Sequence, residues 1–458
     1  MLARSSTGPS RIVPSGSALL REPVVHLQLL LLLAVMLGGG GLAYAFNNLA
    51  IQLFALLLLA VHYRLARRFL AEASRPQLLL VGATLALPLL QLLPLPPAIW
   101  TALPGRELVE QSRALAGIDA GSWAPVSLDR ARTLVAFCGL VAPATIIVLG
   151  HGLQAQEQRR LAVTLLGCIA LALTIGVVQL ASANSFGLFY PVSASPDILY
   201  ATFANRNSTG LLLVTGVILA IGLPAGGRQG QGRLALTAAV AALLAIGVVL
   251  TQSRSSMVLL LVAPAFLLLR LGWASFAGKA SPDRQRKGGV IAVIALLVVL
   301  GAILASALYG GRAADSFARF AAMETDRPEM WDDTAYAATR YFPVGSGMGT
   351  FDEVFQVHES LEYVSARRAG RAHNDYLELA LEAGLAGAVL LGLWLLWVAA
   401  NTLRQFRHGP EWPGVAGGLV AGCIALQSLL DYPLRNQTML CVAGLMIVLL
   451  AAKREARR

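Results

Sequence analysis

With 458 residues, of which 56% are hydrophobic and 13% charged, the chain carries about half the ~25% charge usual in a soluble protein. Together with a mean hydropathy of +0.66, this excludes a soluble globular fold and indicates an all-α polytopic membrane protein. The net charge of +11 informs through its placement rather than its size, and no nucleic-acid partner is expected. Residues 1–23 are polar, with Arg4, Arg11 and Arg21, and are expected to form a disordered cytoplasmic tail. The first apolar run, 24–46, follows at once. Ala43-Tyr44-Ala45 resembles a signal-peptidase site, but the run is longer than a 7–15-residue signal core and is read as an uncleaved first span.

Further spans are expected near 48–63, 77–95, 133–150, 161–182, 208–224, 234–251, 256–272, 289–308, 379–400, 413–430 and 438–452, about twelve transmembrane helices in all. The chain then divides into nine spans over 24–308 with an outer loop near 96–132, a large loop at 309–378 between helices 9 and 10, three spans over 379–452, and a basic tail at 453–458. Cys138, Cys168, Cys423 and Cys441 fall in apolar runs at no metal-ligand spacing, so neither a disulfide nor a zinc site is expected.

Charge sets the orientation. With the N-terminus in the cytoplasm, the short inside segments hold 22 of the 36 Lys and Arg residues, and every short inside loop carries a basic excess. Both termini are therefore placed in the cytoplasm and both long loops outside. Trp100, Trp123, Trp331 and Tyr336 stand beside charged residues there, which suits short amphipathic helices on the membrane surface. No internal repeat is visible, which weakens a two-fold transporter architecture.

The notable polar clusters all fall on the outer side. Asn205 and Asn207 offer amides suited to sugar hydroxyls, and Arg206 between them offers a charge; a helix N-cap with polar turn residues is the equal alternative. Arg254, in Thr251-Gln252-Ser253-Arg254-Ser255-Ser256, sits so near the hydrocarbon that it is costly unless paired, and a guanidinium there can grip a pyrophosphate. Snorkelling to lipid headgroups is the plainer reading. The large loop adds Arg327, Trp331 and the run Gly345-Ser346-Gly347-Met348-Gly349. No apolar strand precedes that run and no GK[ST] follows it, so a nucleotide loop fails and a turn-rich platform for close backbone approach remains.

His373 closes the loop, flanked by Asn374 and Asp375. A lone histidine is more often structural, but an imidazole at this boundary can take a proton from an attacking hydroxyl, with Asp375 or a glutamate to orient it. His358 is a weaker candidate. Read as one helix, Gly384 lies about three turns below His373 on nearly the same face, and Gly387 adds a small residue one turn on. Both are expected to let another helix pack closely. Asp431 to Asn436 closes a short outer loop and reads as an ion pair of structural value only.

In this order the clusters resemble the O-antigen ligase/polymerase family of bacterial membrane glycosyltransferases. His373-Asn374, nine residues, then Gly384-Leu385-Ala386-Gly387 fits the family's His-[Asn/Ser/Gln]-x9-Gly-x-x-[Gly/Thr/Tyr] pattern. Phe203-x-Asn205-x-Asn207, Ser253-Arg254 and Arg327…Trp331…Pro343-x-Gly345-x-Gly347 look like its other elements, over about residues 200–440. The first five spans match only in hydropathy and in Pro125-Val126-Ser127-Leu128-Asp129.

The resemblance implies a GT-C-like, metal-independent, inverting glycosyltransferase, without cofactor, at the periplasmic face of the bacterial inner membrane. Its donor would be a glycan on undecaprenyl pyrophosphate, and its acceptor lipid A-core or a growing glycan, with membrane lipid around it. The site residues would be His373 as base; Arg254, Arg327 and Arg206 on the donor pyrophosphate; and Asn205, Asn207, Asn374 and Trp331 on glycan or acceptor. A polymerase or a protein-glycosylating enzyme of the same family remains open. From other classes, a polysaccharide transporter or flippase would more often place polar groups mid-membrane, and a structural subunit would have no need of Arg254 and His373 on one side.

Overall fold

A computed structural model gives the structure over residues 22–185, 189, 195–223, 231–276, 327–362, 368–406 and 409–452. The expected span 289–308, residues 1–21 of the N-terminal tail, the C-terminal tail 453–458 and the loop segment 309–326 lie outside these residues. The described fold is an all-α membrane protein. In chain order its helices are α1 (Pro23–Leu37), α2 (Ala45–Val61), α3 (Tyr63–Glu72), α4 (Arg75–Gln91), α5 (Pro97–Trp100), α6 (Glu107–Leu115), α7 (Arg130–Gly139), α8 (Val141–His151) and α9 (Ala155–Ala181). There follow α10 (Arg206–Gly222), α11 (Gln231–Leu250), α12 (Arg254–Leu259), α13 (Val262–Phe276), α14 (Arg327–Tyr341), α15 (Phe351–His358), α16 (Asp375–Arg404), α17 (Trp412–Gln427) and α18 (Gln437–Ala451). Two-residue strands β1 (Pro94–Leu95) and β2 (Ala124–Pro125) pair antiparallel across the first outer loop.

Among the described residues, four helical stretches are long and apolar enough to cross a membrane: Arg130–His151, Ala155–Ala181, Arg254–Trp273 and Asp375–Arg404. The pair α2–α3, bent by 78°, makes a fifth. Several expected spans are shorter helices. The run 24–46 is one such case, since α1 stops at Leu37 where Gly38 to Gly41 begin. A Cβ on Gly39 would stand 2.0 Å from the Thr202 carbonyl oxygen, so the chain turns there against the segment before α10.

Helices α10 and α18 are buried nearly all round and form the centre of the main apolar cluster, with α1, α2, α8, α9, α11 and α17 packed about them. A helix apolar on every side belongs inside a bundle. Among the described residues, four helices begin at Asx caps. Asp129 Oδ1 accepts from Arg132 N, Asn205 Oδ1 from Asn207 N, Asn374 Oδ1 from Tyr376 N and Leu377 N, and Asn436 Oδ1 from Met439 N.

The outer loops fold onto this bundle. Trp100 is buried and donates to Pro125 O at 2.8 Å, which places it inside the first loop and not on a membrane surface; Trp123 stays exposed. Helices α14 and α15 pack with Ala372 and Leu381 in a further small core of Ala337, Tyr341, Phe351, Val354 and Phe355.

Candidate active site

The site begins at a fault in α16. Gly384 has φ 53° and ψ −140°, so the helix is two half-helices joined at a break. Only glycine adopts this backbone without strain. The carbonyls of Leu381 and Glu382 lose their partners one turn on, and the Pro343–Gly347 turn replaces them. Ser346 N donates to Leu381 O at 3.0 Å, Gly347 N to Glu382 O at 2.9 Å, and Leu385 N to Pro343 O at 2.9 Å. Gly345, Gly347 and Gly349 all have positive φ. Cβ atoms on the first two would meet Glu382 O at 2.5 Å and Ser127 Cα at 2.7 Å, so the glycine run is the close-approach platform that its composition suggested.

This corrects the expected role of two glycines. A Cβ on Gly384 would meet the backbone of Pro343 and Gly345 rather than another helix, and one on Gly387 would first meet the side chains of Ala383 and Leu379 on its own helix. The spacing argument assumed one straight helix, which the break denies.

His373 precedes the outer half-helix, with φ 52°, one residue before the Asn374 cap. Its Nδ1 lies 3.0 Å from Asp431 Oδ1, and its ring stands edge-on to Tyr432 at 4.8 Å between centroids. Asp431 is fully buried and also accepts from Asn205 Nδ2 at 3.0 Å. Asp431, not Asp375, is therefore the carboxylate that orients His373. Asp375 turns away: it accepts from Ser428 Oγ at 3.0 Å and from Arg435 Nε at 3.2 Å. Sequence reasoning gave the Asp431–Asn436 loop only a structural ion pair. The missed signal was an acidic residue on the same outer side as His373. Burial, then the charge of Asp431, pushes the Tyr432 phenol above its ordinary range.

Beneath lies a stack of charges. Arg435 Nη1 donates to Glu382 Oε2 at 2.8 Å, and its Nε stands 3.4 Å from Glu378 Oε1. Arg371 Nη1 donates to Glu378 Oε1 at 2.6 Å. Burial alone would lower the Arg435 pKa, but Glu378, Glu382 and Asp375 hold it above the usual value.

Other expected residues converge on the same end. Arg327 Nη1 donates to Leu430 O at 2.5 Å, beside Asp431. Trp331 Nε1 donates to Ala372 O at 2.9 Å, beside His373. Asn205 is both a helix cap and a partner of Asp431, so the two alternatives for it coexist. The Asn207 carbonyl accepts from Ser256 Oγ at 3.3 Å and from Gln427 Nε2 at 3.0 Å. That contact ties the start of α10, with Arg206, to the start of α12, with Arg254, where Ser253 Oγ caps Ser256 N. Asn374 spends its side-chain oxygen on capping. His358 lies apart, against Tyr336 and Tyr341.

A cavity of about 410 Å³ is lined mainly by apolar groups of α4, α8, α16 and α18, with Arg132, Arg371 and Arg435 also on its wall. Arg106, which no motif marked, is buried in the first outer loop. It donates to Val126 O at 2.6 Å and Gly345 O at 3.3 Å, over the Tyr341 ring. Burial lowers its pKa to about 10. Among the described residues, no three His, Cys, Asp or Glu side chains are grouped to hold a metal ion.

The family model described as O-antigen ligase matches residues 239–392. The match takes in Arg254, Arg327, Trp331, the glycine turn, His373 and both helix glycines; Asn205, Asp431 and Arg435 fall outside it. No curated protein matches the chain.

Proposed function

We propose that the chain, whose residues 239–392 match the O-antigen ligase family model, moves a glycan from undecaprenyl pyrophosphate to a hydroxyl of lipid A-core at the periplasmic face of the inner membrane. The observation that carries this reading is the 3.0 Å contact between His373 Nδ1 and Asp431 Oδ1. A carboxylate can only accept, so it holds the ring proton on Nδ1 and leaves Nε2 bare. Nε2 takes the acceptor's hydroxyl proton as the oxygen attacks the anomeric carbon. The bond from that carbon to the pyrophosphate oxygen breaks, and its electron pair leaves with undecaprenyl pyrophosphate. A single in-line displacement inverts the anomeric centre.

Charge develops on the leaving oxygen, and Arg254, Arg206 and Arg327 are assigned to it, so that no metal is called upon. Asn205, Asn207, Asn374 and Trp331 are the groups assigned to sugar or acceptor. The twelve-span, GT-C-like architecture with both termini in the cytoplasm belongs to the same reading. The gathering of these groups at one end of the bundle favours surface chemistry over a transport path, which would place polar groups at mid-depth.

Deletion of the gene, with complementation by wild type or His373→Ala, tests the reading. The expected result is a lipopolysaccharide ladder lost on deletion, restored by wild type and not by the variant. Loss of secreted polysaccharide with the ladder intact would assign the chain to the polymerase branch instead. An unchanged ladder and unchanged polysaccharide would remove both assignments.

A further inference from the structure

Gln91, the last residue of α4, joins the glycine turn and the first outer loop to the outer half-helix of α16 at its break. The break at Gly384 leaves Glu382 O without its helical partner, and two groups take that place. One is Gly347 N at 2.9 Å. The other is Gln91 Nε2, also at 2.9 Å. The same amide accepts from Met348 N at 2.9 Å through Oε1, and the Gln91 carbonyl accepts from Ser127 N at 2.9 Å. The side chain is 5% exposed. One residue thus bonds α4, the glycine turn, the first outer loop and the broken helix. The bonded half-helix runs straight to the Asn374 cap and His373.

We propose that Gln91 is a positioning residue for His373, acting through the half-helix Asp375–Ala383 and resting on the glycosyl-transfer reading above. The donated bond to Glu382 O fixes how the half-helix sits at the break, and with it the depth and direction of the imidazole. An amide is required because the site offers one acceptor and one donor, which no hydrocarbon, amine or ionised carboxylate can satisfy together.

Two substitutions of similar size separate this role from mere packing. Gln91→Met keeps the volume and loses both bonds. Gln91→Glu as a carboxylate accepts from Met348 N but faces Glu382 O with a second oxygen; protonated, it donates through O–H and restores both contacts. Burial raises a carboxyl pKa, which brings that protonation into a usable range. The nearest titratable groups in the bond network are Glu382 and its partner Arg435, and all three proteins share them. Each variant is read as a ratio to wild type at the same pH, so pH effects common to the three proteins cancel.

Full-length wild type, Gln91→Met and Gln91→Glu are purified and assayed for transfer from a glycan–undecaprenyl-pyrophosphate donor between about pH 8 and pH 5. Amide exchange is followed in parallel over residues 375–387. Displacement of a reacting group by about 1 Å costs on the order of 100-fold. The expected result is a 10- to 100-fold lower kcat for Gln91→Met at every pH with donor KM little changed. Gln91→Glu should match it at pH 8 and recover several-fold towards pH 5. The exchange ratio should follow the same pattern. A flat Gln91→Glu ratio, or Gln91→Met at wild-type turnover, overturns the proposal. If wild type itself transfers no glycan, the functional reading fails, and the exchange ratios alone then decide the role of Gln91: the same acid recovery supports it and a flat ratio ends it.

Discussion

Asp431→Asn probes the assignment of the base most sharply, because the side chain keeps its size and loses one acceptor. Asp431 accepts from His373 Nδ1 and Asn205 Nδ2 at once, each at 3.0 Å. An asparagine has one oxygen and one NH2, so it cannot accept from both. With its oxygen towards His373, two NH2 groups face each other in a buried site, at about 1–3 kcal/mol for the unmet donor. With its oxygen towards Asn205, the new amide donates to Nδ1 and every group is satisfied. That second arrangement wins, and it moves the ring proton to Nε2, the atom that must be bare to receive the acceptor's proton.

General-base help of this kind contributes about 10²–10⁴-fold, so kcat should fall by roughly that factor, or about 3–5 kcal/mol in the barrier. Donor KM should change little, since the substitution leaves untouched the arginines assigned to the pyrophosphate. Purified variant and wild type in proteoliposomes, with the lipid-linked donor and added chelator, give the comparison. An asparagine variant within about threefold of wild-type kcat would refute the dyad and leave His373 a structural residue.

Arg254→Lys should insert normally yet lose most activity, because an ammonium cannot reproduce the guanidinium fork; transfer at near wild-type rate would take Arg254 out of the mechanism. Gly384→Ala puts a Cβ 2.2 Å from Pro343 O at a positive φ, so it should cost about 2–5 kcal/mol, seen as a lower melting temperature or lost expression. Burial, then the charge of Arg340, lowers the His358 pKa. The unfolded chain therefore takes up a proton as pH falls through about 6.5 while the folded one resists it, so stability is full above that pH and falls below it. His358→Gln should lessen the drop in melting temperature between pH 7.5 and 5.5; an equal drop in both proteins would count against it.

Composition and motif spacing carried the helical membrane class, and the motif residues do gather at one end of the bundle. What they could not carry was the break in α16. The run from Asp375 to Arg404 has helical residues throughout, and a glycine in such a run usually means close helix packing. Here the neighbour is a turn 38 to 41 residues upstream, Pro343 to Ser346, and only long-range geometry reveals it. Asp431 was hidden for a related reason. Its loop ends in Arg435, and an Asp–Arg loop reads as a self-contained pair, whereas the arginine turns to Asp375, Glu378 and Glu382 and leaves the aspartate to His373. Gln91 and Arg106 bear no motif at all; their roles follow from backbone groups that the turn and the break leave to be satisfied.

The buried charges remain to be explained, since ion pairs in an interior add little stability over apolar residues of the same size. Their geometry offers a reason. Asp375, Glu378 and Glu382 succeed one another at helical spacing on one face of the half-helix, and a single guanidinium touches all three. That guanidinium sits four residues after Asp431. It therefore sets the rotation of the half-helix bearing His373 against the loop bearing its partner. Arg435→Met alone strands carboxylates and should cost about 3–5 kcal/mol, enough to prevent folding. Adding Asp375→Asn and Glu382→Gln removes the stranded charge and keeps the Arg371–Glu378 pair. The triple variant should insert and melt near wild type yet turn over at least ~10-fold more slowly, because a displaced base loses its alignment. Wild-type kcat in a folded triple variant would mean that the register between His373 and Asp431 is held elsewhere, and the turn at Gly345–Gly347 would be the place to look.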